Sequence, residues 1–153
     1  MHISTIAMIS SILITANAVA QEKKIQRSDL PPAVERTVSA AQNPGVTIRG
    51  FSQENQKGQT YYEAETTVNG HSKDLLMDAR GAIVEVEEQV DFDSLQPSVK
   101  EGLQAKAGTA KILKVESITK KNKLVAYEAV VQTGGKKKEV QVDPDGKPLD
   151  HEE

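Results

Sequence analysis

Leu30-Pro31-Pro32-Ala33-Val34 and Leu95-Gln96-Pro97-Ser98-Val99 are the same opening written twice, at a shift of 65 residues. The agreement continues downstream, where Tyr62-Glu63-Ala64 recurs as Tyr127-Glu128-Ala129, Lys73-Asp74 as Lys138-Glu139, and Asp78 with Gly81 as Asp143 with Gly146. A match spread over a whole unit marks an internal duplication. Repeated units repeat a fold, and the differences between copies show where one surface has been adapted.

Each copy opens with a helix. In the first, Pro31 and Pro32 suit the opening turn, where a missing N–H costs little, and Val34, Val38 and Ala41 then share one helical face until Asn43-Pro44-Gly45 ends it. In the second, Ser94 can cap, Pro97 lies in the first turn, Val99, Leu103 and Lys106 or Ala107 keep the spacing, and Gly108 ends the helix. Gly102 inside that helix is expected to weaken it by about 1 kcal/mol relative to Ala.

Alternating segments follow. Tyr62, Ala64, Thr66 and Val68 oppose Tyr61, Glu63, Glu65 and Thr67, and Val125, Tyr127, Ala129 and Val131 repeat the pattern, so one face turns inward and the other stays wet. Gly58, Asn69-Gly70, Gly81, Gly134-Gly135 and Asp145-Gly146 fall where tight hairpins need positive φ. Strands are expected near 46–56, 59–69, 72–78 and 82–90 in the first copy. The fold expected is α+β: two tandem copies of a helix followed by a three- or four-stranded antiparallel sheet, with helices packed on one sheet face. A unit of about 60 residues buries only about 60% of its unfolded surface alone, so the copies should share a core or pack closely.

The chain divides accordingly into a signal peptide over 1–20, a flexible polar arm over 21–29, one repeat over 30–90, a second over 91–150 and an acidic tail over 151–153. The first twenty residues carry no Lys, Arg, Asp or Glu and close on Ala18-Val19-Ala20, an A-x-A cleavage signature after an apolar run. Cleavage there would leave a periplasmic or secreted protein with no stable membrane anchor. There is no cysteine, which removes disulfides, thiolate metal sites and a lipid-bearing Cys. A net charge of only -3 gives no overall field pointing to nucleic acid.

The set Leu-x-Pro-x-Val, a helix, Tyr-Glu-Ala in a strand and Asp-x-x-Gly in a late hairpin resembles the PepSY-like family with the β-lactamase-inhibitor-like fold, over about Leu30 to Leu149. The resemblance implies helices packed on antiparallel sheets, tandem copies in exported bacterial proteins, a role in binding or regulating proteins such as peptidases, and no catalytic residues. With two Phe and three Tyr the chain is poorer in aromatics than protein-binding sheet faces commonly are.

The residues themselves point away from catalysis and cofactors. His2, His71 and His151 have no zinc-ligand spacing, and Ser72 beside His71 cannot by itself form a nucleophile–base pair. Asp143-Pro144-Asp145-Gly146 fails as a calcium loop, because the sixth position is Pro148 and the twelfth lies beyond residue 153; a β-turn opened by Asp explains it and Asp78-Ala79-Arg80-Gly81 alike. Glu85-Val86-Glu87-Glu88 reads as a solvated strand face. Tyr62 and Tyr127, with Gly81 and Gly146, are expected to be structural. The candidate partner surface comprises Tyr61, Glu63 and Glu65 on the wet face and Lys136, Lys137 and Lys138 on a basic edge.

Charge separates the copies: residues 30–89 carry five basic and nine acidic side chains, residues 95–149 eleven and six. The expected function is therefore an exported non-catalytic module engaging an envelope protein. The alternative is a periplasmic sensor or carrier of a small ligand or cation, held between the copies.

Overall fold

The computed structural model describes residues 22–149. The expected signal peptide and acidic tail lie outside the described residues. The elements run β1 (Lys23–Ile25), α1 (Pro32–Ala41), β2 (Val46–Gln56), β3 (Gln59–Val68), β4 (His71–Asp78), β5 (Ile83–Val90), α2 (Pro97–Ala107), β6 (Lys111–Lys120), β7 (Lys123–Thr133) and β8 (Lys136–Val142). Short 3-10 turns at Arg27–Asp29 and Phe92–Ser94 lead into the two helices.

Two tandem helix-and-sheet copies, each with its own sheet, are not what forms. Among the described residues the strands make one eight-stranded antiparallel sheet in sequence order, with two helices. The join is β5 on β6, paired from Glu85↔Lys120 to Val90↔Val115. Separate sheets would leave the outward N–H and C=O groups of both strands open to solvent and to foreign strands; pairing them removes two edges at once. The stretch expected as a flexible arm contributes β1, which lies along β2 from Lys23↔Gln53 to Ile25↔Phe51.

Both helices cover the same sheet face. Val34 and Val38 of α1 pack on Phe51, Ala64, Leu75 and Met77, and Val99, Leu103 and Ala107 of α2 pack on Val115, Ala129, Val131, Val140 and Val142. Val86 joins the first cluster and Val90 the second, so β5 turns the same side to both. Helices of ten and eleven residues are marginal alone. Each fully buried Val or Leu contributes about 1.5–3 kcal/mol relative to exposure, so docking is what holds them helical.

The two Asp-x-x-Gly turns clamp these helices. Asp78 Oδ1 accepts from the backbone of Arg80 and Ala82, and Asp143 Oδ1 from that of Asp145 and Lys147. This seats Gly81 against the Ala33 carbonyl of α1 and Gly146 against the Ser98 carbonyl of α2, where neither could carry a Cβ. Thr37 Oγ1 donates to the Gly81 carbonyl at 2.7 Å. No helix among the described residues is long and apolar enough to cross a membrane.

Candidate binding surface

With both helices on one side, the opposite face of the sheet carries no helix among the described residues. Strand alternation sets what it carries: Tyr61, Glu63 and Glu65 from β3 lie opposite in sense to the core residues Tyr62 and Ala64, and Asp74 and Leu76 of β4 to Leu75 and Met77. From the other strands come Glu85 and Glu87 of β5, Glu116 of β6, Glu128 of β7, and Glu139 and Gln141 of β8. A cleft of about 350 Å3 opens on this face, lined by Glu54, Glu63, Asp74, Glu85, Glu87, Glu128 and Glu139 among others. Ile118, opposite Glu87 in the β5–β6 ladder, is buried beneath them.

The register sets like charges side by side. Asp74 lies directly across from Glu87, and Glu116 from Glu128, an arrangement that destabilises a sheet unless cations or protons intervene. Cations intervene on part of the face: Arg49 reaches Asp74 at 2.7 Å, Lys114 reaches Glu116 at 2.7 Å, Lys120 reaches Glu85 at 3.5 Å, and Lys24 ties Glu22 to Glu65. The centre has no such cover. Glu63 accepts from Ser52 Oγ at 2.7 Å and Glu128 from Gln141 Nε2 at 2.8 Å, both neutral donors. Among the described residues the Glu87 side chain has the carboxylates of Glu128, Glu85 and Glu116 for its charged neighbours.

Protons therefore do part of the work. Burial, only partly opposed by the Ser52 hydrogen bond, pushes the Glu63 carboxyl up to about 7. Burial likewise carries Glu128 to about 7, against the pull of Gln141. Glu87 is held well above the ordinary carboxylate range, by burial first and then by the charge of Glu128. Carboxylate oxygens of Glu87, Glu116 and Glu128 lie within 4.8 Å of one another, as do those of Glu22, Glu63 and Glu65. All-oxygen sets of this kind suit a hard cation such as Ca2+ or Mg2+ and not zinc.

The candidate residues divide. Tyr61, Glu63 and Glu65 share the open face, but Glu65 is already engaged by Lys24 and Arg49, and the Tyr61 hydroxyl donates to Gln59 Oε1 at 2.7 Å. Lys136, Lys137 and Lys138 are exposed on β8, separated from β3 by four strands, so the structure does not bring the two groups together. Tyr62 and Tyr127 pack at the margins of the two cores. Ser72 Oγ donates to Glu116 at 2.8 Å and is thereby committed away from His71.

The group formed by Glu87, Glu116 and Glu128 was missed in sequence. Glu85-Val86-Glu87-Glu88 does alternate as expected, yet Glu87 stands half-buried in the cleft because β6 and β7 close beside it. The one available signal was Glu128, which repeats Glu63 at the shift of 65 and has the same raised pKa.

No protein-family model matches the chain and no curated protein matches it. Solved structures do. A BLIP-like protein from Bacteroides fragilis is 21% identical, with 76% of this chain and 81% of that one covered at a TM-score of 0.51. A DUF2874 family protein from Bacteroides ovatus is 21% identical, with 78% and 84% covered at 0.56, and a candidate periplasmic protein from Bacteroides eggerthii is 17% identical, with 78% and 86% covered at 0.59. At these identities the likeness is one of fold, and the fold of this chain is BLIP-like: two helices on one face of a continuous antiparallel sheet.

Proposed function

We propose that the chain is an exported, non-catalytic binding module of the PepSY-like type, which engages a cationic surface of an envelope protein through its open sheet face. The observation that carries this is the carboxylate-lined cleft on the one sheet face the helices leave bare. Incoming Lys or Arg side chains would relieve the like-charge pairs Asp74–Glu87 and Glu116–Glu128 and the crowding of acid around Glu63, so binding would improve the sheet's own electrostatics. The apolar leader ending Ala18-Val19-Ala20 supports export, and the description of the Bacteroides eggerthii structure as a candidate periplasmic protein agrees with it.

The test is affinity capture from an envelope extract with the full chain and with Glu54→Lys and Glu139→Lys variants. Glu54 and Glu139 line the cleft without building the core. A single partner retained by the unaltered chain and lost from both variants supports the reading; equal retention by all three contradicts it. The alternative, a carrier of a small ligand or cation, would use the Glu87, Glu116 and Glu128 oxygens. Thermal melts with Ca2+ and Mg2+ separate the two, since only the carrier requires stabilisation by the ion alone.

A further inference from the structure

The two copies fill one equivalent place with opposite chemistry. In the first, Arg27 opens the 3-10 turn before α1 and donates to Glu35 at 2.8 Å, Ser39 at 3.1 Å and Gln42 at 3.1 Å, so polar groups tied to one another cover the ground beside the helix. The shift of 65 puts Phe92 in the place of Arg27, Gln104 in that of Ser39 and Ala107 in that of Gln42. A second exchange lies on the strand after the helix. The ladders pass through Ile25↔Phe51 and Val90↔Val115, with bulges after Ile48 and after Ile112, which sets Leu113 where the first copy has Arg49. Arg49 donates to the Thr66 carbonyl and to Asp74, whereas Leu113 stands 40% exposed. Where the first copy has two tethered arginines the second has two large apolar side chains, and Phe92 and Leu113 line one cleft of about 650 Å3. That volume is within the ordinary range of binding pockets.

We infer that this cleft is the anchor point of the cationic protein partner, taking from it one bulky apolar side chain with a Lys or Arg beside it. The inference rests on the reading that a cationic protein surface docks on the open face, which the cleft adjoins. Gln89, directly across from Glu116, and Lys114, bonded to Glu116 at 2.7 Å, are part of its wall. On the other side the lining is Val90, Ala110 and Ile112, the margin of the second core, so an inserted side chain would continue that core outward. Room exists because β6 begins at Lys111 while its pairing with β5 begins only at Val115. The rim selects the charge that accompanies the anchor. Asp91 is exposed there, Gly108 brings in the C-terminal, negative end of α2, and the Lys114 ammonium is already neutralised by Glu116. Carboxylates steer a partner and fix its orientation, but a desolvated apolar anchor supplies most of the affinity, and the acidic face by itself has little to offer as one.

The probes are three capped peptides titrated into the full chain and followed through backbone amide shifts: Gly-Ser-Leu-Arg-Ser-Gly, the same with Ser for Leu, and the same with Glu for Arg. The Leu-Arg peptide should shift residues 89–92 and 107–115 and bind about ten-fold more tightly than either control. The Ser-Arg peptide should leave the cleft unshifted and touch only the carboxylate-lined face. Leu113→Arg, which restores the residue of the first copy, should abolish the shifts at the cleft. Asp91→Asn keeps an acceptor for the Asp93 N–H and should weaken the Leu-Arg peptide about three-fold or more through the lost charge. Thermal melts of both variants should match the unaltered chain, since both side chains are exposed. A Leu-Arg peptide that binds no better than the Ser-Arg one, or shifts at the cleft that survive Leu113→Arg, would overturn the inference while the Ser-Arg peptide still reports on the open face. Equal or tighter binding of the Leu-Glu peptide would overturn it as well, by assigning the cleft to an apolar ligand without positive charge.

Discussion

Gly102 shows how a residue's local cost and its value in the fold can carry opposite signs. In an isolated helix Gly102→Ala would stabilise by about 1 kcal/mol. Here a Cβ at Gly102 would overlap the carbonyl of Gly146, itself pressed on Ser98 at φ 85°. Gly102→Ala is therefore expected to lower the melting temperature, and Gly146→Ala to cost roughly 2–4 kcal/mol through left-handed strain and overpacking together. A stabilised Gly102→Ala protein would show that the helix and turn are not in this contact. The carboxylates give a second residue-scale expectation. Glu63 and Glu128 titrate near 7 in the folded chain against an ordinary 4.5, so between those values the folded chain holds protons that the unfolded chain has released. Their contribution is complete below about 4.5 and drains away as pH rises through about 7, with Glu87 extending the loss upward. At about 1.4 kcal/mol per pKa unit the fall from pH 5 to pH 8 is on the order of a few kcal/mol. Glu35 and Asp78, whose pKa values are depressed by Arg27 and Arg80, act oppositely at lower pH, so stability should peak near pH 5. Urea midpoints across that range check this; Glu87→Gln should flatten the alkaline side, and an unchanged slope would count against the crowding of charge.

Among the elements, β5 matters most, because it packs on both cores and pairs across the middle of the sheet. A fragment ending at Val90 would keep α1 and β1 to β5 yet expose the β5 edge, so residues 22–90 alone should melt well below the full chain or associate. A fragment that melts at the same temperature would restore the picture of two self-sufficient copies. The positions of the helices and of β2 to β5 were legible in sequence, because helical spacing in Val34-x-x-x-Val38 and alternation around Tyr62 are local signals. The single sheet was not, since alternation tells which face a residue takes and says nothing of which strand lies beside it. The same limit governed the site. Glu63 and Glu65 could be placed on the wet face from β3 alone, whereas Glu87, Glu116 and Glu128 meet only through the register of β5, β6 and β7. In sequence Lys23-Lys24-Ile25 is too short and polar to signal more than a flexible arm, and only the β2 edge beside it makes it a strand.

For the molecule as a whole, charge is sorted by surface more than by copy. Acid gathers on the open face, while Lys120, Lys121, Lys123 and Lys136 to Lys138 sit at hairpin ends and on the β8 edge. Such an arrangement favours oriented encounter with charged partners, and binding to the open face should weaken as salt rises from 50 to 500 mM, where screening shortens to a few ångströms. The central claim is that this face, and not the helical side, receives a cationic surface. The direct measurement is an NMR titration of the full chain with an arginine-rich peptide at pH 8, followed through backbone amide shifts. The account expects the shifts to concentrate on residues 61–65, 85–89 and 126–130 and to vanish in Glu54→Lys with Glu139→Lys; shifts centred on α1 and α2, or none at all, would contradict it.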